Sequence, residues 1–204
     1  MSPQEIEHQS FTIIEQEAGP HSFTPEEWSI VRRIIHTTAD FEYMTSIRFQ
    51  SNAIQMAKQA IQSGTKIITD TRMALSGIQK KAIEAYGGEV VCYIDDSTVQ
   101  IQAQKHGTTR ARMAIDMAVQ SISGGIYVIG NAPTALLRLI ELVQQNSAKP
   151  DVVIAFPVGF VNAAESKAEL LALNIPLITN IGRKGGSTVA ASVMNALIQL
   201  TQNN

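Results

Sequence analysis

The chain alternates between two patterns of apolar residues. Short runs rich in valine and isoleucine are typical of strands buried in a parallel sheet. Such runs occupy residues 65–70, 89–94, 125–130, 151–156 and 176–180. Apolar residues spaced three and four apart predict helices with one buried face. This spacing occurs at residues 52–63, 77–86, 109–122, 133–146, 164–173 and 187–201. The alternation predicts a doubly wound α/β fold, a mostly parallel sheet of about five strands with helices on both faces.

The part of the chain before the first of these strands is predicted to be helical. Thr24, Pro25 and Glu27 form a capping-box pattern with proline in the first turn, which opens a helix carrying Trp28. A chain of 204 residues without repeats or linkers is suited to one domain. We therefore expect a single domain over residues 1–204, with a helical N-terminal part at 1–63 and an alternating strand–helix core at 64–204.

Composition narrows the class of protein. A hydrophobic content of 45% with 17% charged residues is typical of a soluble globular protein. A formal net charge of −2 provides no basic surface of the kind that nucleic-acid binding usually needs. The single cysteine, Cys92, excludes an intramolecular disulfide and lies in a predicted buried strand, where it is expected to be a small core residue. We see neither a signal peptide nor an apolar run long enough for a bilayer, and expect a cytoplasmic protein.

The chemically unusual residues follow the predicted strands. In an open parallel sheet, ligands bind outside the carboxyl ends of the strands. Most glycine, proline and charged residues outside the predicted helices follow these ends. They lie at residues 70–72, 95–98, 130–136, 157–167 and 180–187. This edge of the sheet is therefore the expected site.

Two of these features are compatible with a bound anion. The glycines of residues 182–187 allow backbone N–H groups to approach a ligand at the start of the last helix, although a tight turn explains them equally well. Thr108 or Thr109 is the predicted N-cap of the helix that begins near Arg110, a cation that the helix dipole disfavours in the first turn. A bound carboxylate would explain Arg110, and a solvated side chain is the alternative. The glycine spacing fits neither a Walker loop nor a dinucleotide fingerprint.

His36 lies at the end of the helix that Thr24 opens. The helix dipole favours a charged imidazole there, which suits an ordinary surface histidine, and a single histidine without other evidence is more often structural than catalytic. The spacing of the other three histidines suggests no zinc site. Residue chemistry alone therefore indicates an α/β protein that binds or transforms an anionic ligand.

Seven segments together carry a more specific signal, because they resemble the precorrin-8X methylmutase family, including its cobalt-precorrin-8 branch. They are IEHQSFTII (6–14), RRIIHTTADFEY (32–43), TDTRMALSGI (69–78), GTTRA (107–111), IGNAPTALLRL (129–139), PVGFVNAAESK (157–167) and GRKGGSTVAAS (182–192). They run in order over nearly the whole chain. Their combination is far more specific than any one of them.

The resemblance implies an isomerase that moves a methyl group from C-11 to C-12 of a corrin precursor, forming hydrogenobyrinate or cobyrinate. It implies a homodimer with the active site near the subunit interface, His36 as the catalytic histidine, and Ser10 and Arg110 as substrate contacts. We add further expected contacts from the chemistry of a polycarboxylate substrate: Thr37, Asp70, Arg72, Asn131, Gly185, Gly186 and Ser187. No cofactor or protein-bound metal is expected, since any cobalt would belong to the substrate.

Two other functions remain open from the sequence. A tetrapyrrole carrier without catalytic activity would use the same binding residues. A nucleotide-binding α/β protein is the second, although the chain lacks the spacing of a phosphate-binding loop.

Overall fold

A computed structural model describes residues 1–202 of the chain. The helices are Pro3–Ala18 (α1), Pro25–Thr38 (α2), Tyr43–Ser46 (α3), Ala53–Gln62 (α4), Arg72–Gly77 (α5), Lys80–Glu84 (α6), Ser97–Lys105 (α7), Arg110–Ser121 (α8), Pro133–Gln144 (α9), Ala163–Leu171 (α10) and Ser187–Gln202 (α11). The strands are Ile47–Gln50 (β1), Lys66–Thr69 (β2), Glu89–Val91 (β3), Ile126–Ile129 (β4), Val152–Ala155 (β5) and Leu177–Asn180 (β6).

The strands form one six-stranded sheet in the order β1-β6-β5-β4-β2-β3. All neighbours are parallel except β1, which pairs antiparallel with β6 so that Ile47 lies opposite Asn180. The predicted fold class, a mostly parallel sheet with helices around it, is confirmed. The sheet contains one strand more than the expected five, because part of the segment predicted to be helical, residues 1–63, forms β1. Its short sequence IRFQ has no β-branched run, and its pairing with β6 determines its structure.

The helix boundaries differ from the prediction in two places. The predicted helix at 77–86 is shortened to α6, because Gly77 ends α5, a helix that was not predicted, and Ile78 is extended. Helix α7 was not predicted and begins within the expected loop at 95–98, where the Asp96 side chain accepts a hydrogen bond from the Thr98 amide as its N-cap. Cys92 lies just beyond β3 and is half-buried, rather than within the strand.

The predicted caps are present. Thr24 and Glu27 form both hydrogen bonds of a capping box at the start of α2. Thr109 is the N-cap of α8, so Arg110 is the first helical residue, and Pro133 begins α9. These local signals were readable from sequence because each depends on side chains at most three residues away.

Apolar residues fill both faces of the sheet. Helices α1, α2, α4 and α11 cover one face, which Val152 and Ile154 of β5 meet. Helices α8, α9 and α10 cover the other, which Val153 and Ala155 meet. The alternation along β5 shows how one strand serves two layers of core.

A four-residue ion network joins α8 to α9. Arg112 donates to both carboxylate oxygens of Glu141, at 2.9 and 2.6 Å. Arg138 donates to Glu141 at 2.7 Å and to Asp116 at 2.7 Å. The hydrogen bond from Arg112, and then that from Arg138, lowers the pKa of Glu141 to about 2.

We predict that Glu141→Gln reduces the free energy of unfolding at neutral pH by about 1 kcal/mol, since solvent screening weakens a partly exposed pair. A carboxylate whose pKa is lowered in the folded state stabilises the protein above its ordinary pKa of 4.5, and that contribution disappears as the pH falls towards 2. The difference between the two proteins should therefore shrink over that interval in urea unfolding at several pH values. Glu169→Gln, an exposed carboxylate outside the network, is the control; an equal effect there would contradict the prediction.

Candidate functional site

His36 projects from the last turn of α2, which ends where Ala39 adopts a left-handed backbone conformation with φ 53°. The imidazole is held by two residues of α1. Its Nδ1 lies 2.9 Å from the Ser10 hydroxyl, and the Phe11 ring meets it edge-on with centroids 5.3 Å apart. Within residues 1–202 the other ring nitrogen, Nε2, has no hydrogen-bond partner. His36 is thus oriented through one nitrogen and able to donate through the other.

A cavity of about 240 Å³ opens beside His36. Its walls are mostly apolar, with one imidazole, one hydroxyl and one carboxylate among them. It is lined by Ser10, Ile13, Ile14, Glu17, Ile35, His36, Ala39 and Phe41. Cavities of about 450 and 390 Å³ lie elsewhere, beside α7 and α8 and next to Gly124, and neither contains His36. We assign the site by its chemistry rather than by cavity size.

Lys184 connects the loop after β6 to the segment that follows α2. Its Nζ lies 2.5 Å from Asp40 and 2.8 Å from Glu42. The hydrogen bond from Lys184 lowers the pKa of Asp40, and the bond to Asp40 in turn raises the pKa of Lys184. Residues 182–187 therefore lie on the same side of the molecule as His36.

Asp70 lies at the carboxyl end of β2 and is 2% exposed. Its carboxylate accepts hydrogen bonds from three consecutive backbone amides, those of Gly130 at 2.9 Å, Asn131 at 2.9 Å and Ala132 at 2.7 Å. Burial raises the pKa of Asp70, and the three amide donors act against that rise. Asp70 was expected to contact substrate, but in the structure both of its oxygens support the turn between β4 and α9.

The glycine loop packs tightly where it enters α11. The Gly186 amide donates to the Phe156 carbonyl at 2.8 Å, and a Cβ on Gly185 would stand 2.1 Å from that same oxygen. Ser187 is buried, and its hydroxyl lies 2.8 Å from that of Thr71. Close backbone contact requires glycine at 185, a position for which the sequence had left a ligand and a tight turn as equal explanations.

The remaining predicted contact residues lie on the surface. Arg110, Asn131 and Thr37 are exposed, and the Thr37 hydroxyl donates to the Arg33 carbonyl of its own helix. Arg72 is exposed and lies 3.8 Å from Asp95. Arg110 follows β3 at one edge of the sheet, whereas the loop near His36 follows β6 towards the other, so the structure brings His36 and Ser10 together but not these two with Arg110.

Sequence reasoning missed a buried lysine. Lys167 on α10 is fully buried, and its Nζ donates to the Lys184 carbonyl at 2.7 Å and to the Asn180 side chain at 3.1 Å. Burial lowers the pKa of Lys167 to about 8. The available signal was its spacing, since Ala163, Lys167 and Leu170 fall on one face of a helix.

The described residues contain neither a metal-binding cluster nor a membrane-spanning helix. Among residues 1–202, no three side chains of histidine, cysteine, aspartate or glutamate are placed to hold a metal ion. Over the same residues, no helix has both the length and the apolar character needed to cross a membrane.

Comparison with known proteins identifies the family. The sequence model of the family described as precorrin-8X methylmutase matches residues 5–200. The chain belongs to the precorrin-8X methylmutase family. A solved structure of the precorrin-8X methylmutase from Thermus thermophilus superposes with a TM-score of 0.89 at 42% identity, covering 97% of this chain and 98% of that one.

Curated relatives of this methylmutase carry one of two names, cobalt-precorrin-8 methylmutase or precorrin-8X methylmutase. The cobalt-precorrin-8 methylmutase of Priestia megaterium is 51% identical, with 97% of this chain and 88% of the relative covered. That of Leptospira interrogans is 44% identical, with 96% and 93% covered. The precorrin-8X methylmutase of Pseudomonas aeruginosa is 35% identical, with 95% and 94% covered.

We predict that Asp70→Asn lowers the free energy of unfolding by about 2–3 kcal/mol, because an amide group would present N–H donors to buried backbone amides. Urea unfolding measures the change. Asp95→Asn is the matched control, since this carboxylate is exposed and should cost less than about 0.5 kcal/mol. Equal, small effects at both positions would show that the turn does not depend on Asp70.

Proposed function

We propose that His36 is the proton donor in the methyl migration from C-11 to C-12 that this methylmutase catalyses in cobalamin biosynthesis. The observation that carries the proposal is the hydrogen bond between Ser10 and Nδ1 of His36, beside a mostly apolar cavity. Imidazole is the side chain whose ordinary pKa lies nearest neutral pH, which suits it to donate and recover a proton in each turnover.

The hydrogen bond gives the two ring nitrogens separate tasks. In the imidazolium form both nitrogens carry protons. The Ser10 oxygen then accepts from Nδ1, and Nε2–H is left to donate to a nitrogen of the corrin ring. Protonation withdraws electron density from the ring and eases the [1,5]-shift of the methyl group. The methyl group stays within the molecule, and the proton returns to His36, so no other reactant is consumed.

Ser10 is accordingly assigned to His36 rather than to the substrate. The predicted anchors for the peripheral carboxylates are Arg110 and the amides of Gly185 and Ser187, with Thr37, Arg72 and Asn131 at the rim. The Gly186 amide, also a predicted anchor, already donates to the Phe156 carbonyl. Asp70 supports binding indirectly by holding the turn that contains Asn131.

The substrate we propose is the cobalt-containing precursor, since the relatives that are 51% and 44% identical carry the cobalt name. We expect no resident cofactor, because an intramolecular shift requires no electron carrier or group donor. We further propose a homodimer in the cytoplasm. The separation of Arg110 from His36 within one chain supports a site completed by a second copy.

We predict that His36→Ala reduces kcat at least about a hundredfold, the usual contribution of a positioned proton donor. Binding of the product cobyrinic acid, followed by its visible absorption, should change less than about threefold because the donor acts mainly in the transition state. His106→Ala removes an exposed histidine outside the site and is the control. Near-normal turnover by His36→Ala would overturn the assignment.

The same assay separates an enzyme from a carrier. In a single turnover the enzyme converts cobalt-precorrin-8 to cobyrinate, whereas a carrier returns its ligand with the methyl group unmoved. The wild-type protein should give complete conversion.

We also predict that Ser10→Ala lowers kcat about tenfold with little change in KM, since the imidazole loses the contact that orients it. Thr12→Ala is the matched control, because the Thr12 hydroxyl donates only to the His8 carbonyl of its own helix. A rise in KM with unchanged kcat would instead make Ser10 a direct contact of the substrate.

A further inference from the structure

The Lys167 ammonium is buried and takes no part in the proposed proton donation. It is fully buried, and its partners within residues 1–202 include no carboxylate. Its partners are two oxygens, the Lys184 carbonyl and the Asn180 side chain. Taking an ammonium out of water costs free energy that neutral acceptors repay only in part. Packing does not explain the residue, because methionine has a similar length and would fill the same space without that cost.

The ammonium holds the loop at residues 181–184 by a hydrogen bond to the Lys184 carbonyl. The Lys184 carbonyl receives two donors, Nζ of Lys167 at 2.7 Å and Nδ2 of Asn180 at 2.9 Å. The same Nδ2 group reaches the Ile181 carbonyl at 3.2 Å. The side chains of Asn180 and Lys167 thus hold both ends of the loop at 181–184 by hydrogen bonds to its carbonyls.

Lys184 connects this loop to the segment beside His36. Its carbonyl accepts hydrogen bonds from Lys167 and Asn180, while its side chain contacts Asp40 and Glu42. Those acids follow Ala39, which lines the cavity beside His36. In the other direction the loop continues into Gly185 and then Gly186, whose amide donates to the Phe156 carbonyl.

We propose that Lys167 is a positioning residue for the methyl migration, which through the Lys184 carbonyl fixes residues 182–187 relative to His36. The inference rests on the proposed function of that loop as an anchor for substrate carboxylates. Lys167 never touches the substrate. Its task is to hold the loop in one conformation, so that the ring is bound in register with the proton donor.

The first test is Lys167→Met. Its kcat/KM should fall at least about tenfold, while the midpoint of thermal unfolding stays within about 4 °C of wild type, since apolar packing replaces the buried charge. Amide hydrogen exchange at Gly185 and Gly186 should accelerate. A kcat/KM within about twofold of wild type would overturn the proposal, even if exchange is faster.

Lys58→Met is the matched control. Lys58 is also buried, at 4% exposure, but it pairs with Glu26 at 2.7 Å on a different part of the molecule. Its loss should lower the thermal midpoint and leave the kcat/KM of the folded protein unchanged. If both variants lose kcat/KM equally, the effect of Lys167 is general destabilisation and the proposal fails.

Asn180→Asp decides the matter if Lys167→Met does not fold. Aspartate at this position gives Lys167 an anionic partner, which favours the folded protein, but it cannot donate to the Ile181 and Lys184 carbonyls. The two carbonyls lose a donor, and the new ion pair with Lys167 offsets that cost, so we expect the thermal midpoint to stay within about 4 °C of wild type and kcat/KM to fall at least about tenfold. Wild-type kcat/KM in this variant would refute the positioning role.

The interpretation of these variants does not depend on the result for His36→Ala. Every variant is compared with wild-type turnover, which does not depend on which residue donates the proton. Active His36→Ala would end the proton-donor assignment and leave the Lys167 comparison intact.

Discussion

The carboxyl edge of the sheet depends on one buried carboxylate. Asp70 receives three backbone amides from the turn after β4, which joins the ends of two central strands. Thr71, the next residue, contacts Ser187, and a Cβ on Gly130 would stand 2.6 Å from the Ser187 Cα atom. The beginning of α11 therefore packs on the turn that Asp70 stabilises. The position of this turn determines where the glycine loop enters α11.

Two lysines also hold this part of the molecule, one through solvent-exposed ion pairs and the other through buried hydrogen bonds. Lys184 is half exposed and pairs with carboxylates across the surface, where solvent screens the attraction. Lys167 is buried and donates to neutral oxygens, where each hydrogen bond is stronger and a missing partner is more costly. The loops of the candidate site are thus held chiefly by side chains, such as Asp70 and Lys167, that bind backbone groups. His36 is oriented separately, by residues of α1.

The sequence predicted what depends on near neighbours. Buried parallel strands, the capping box at Thr24 and the cap at Thr109 all reveal themselves within a few residues. Strand β1 does not, because its structure follows from a partner more than a hundred residues away. The Ser10–His36 contact and the contact of Asp70 with the Gly130 amide join residues 26 and 60 positions apart, which is also beyond the reach of local sequence patterns. Lys167 was concealed differently, as a charged residue on an otherwise apolar helix face, where the ordinary expectation is a solvated side chain.

The antiparallel edge strand also sets an order of assembly. Strand β1 pairs Ile47 with Asn180, so forming this ladder brings together segments more than a hundred residues apart. Contacts of such sequence separation form slowly, because the intervening chain must lose its freedom first. During synthesis from the amino end, the strand beside the histidine-bearing helix has no partner until residue 180 has emerged. A ribosome-bound chain that stops short of β6 can therefore contain His36 while β1 is unpaired and Asp40 lacks its partner Lys184.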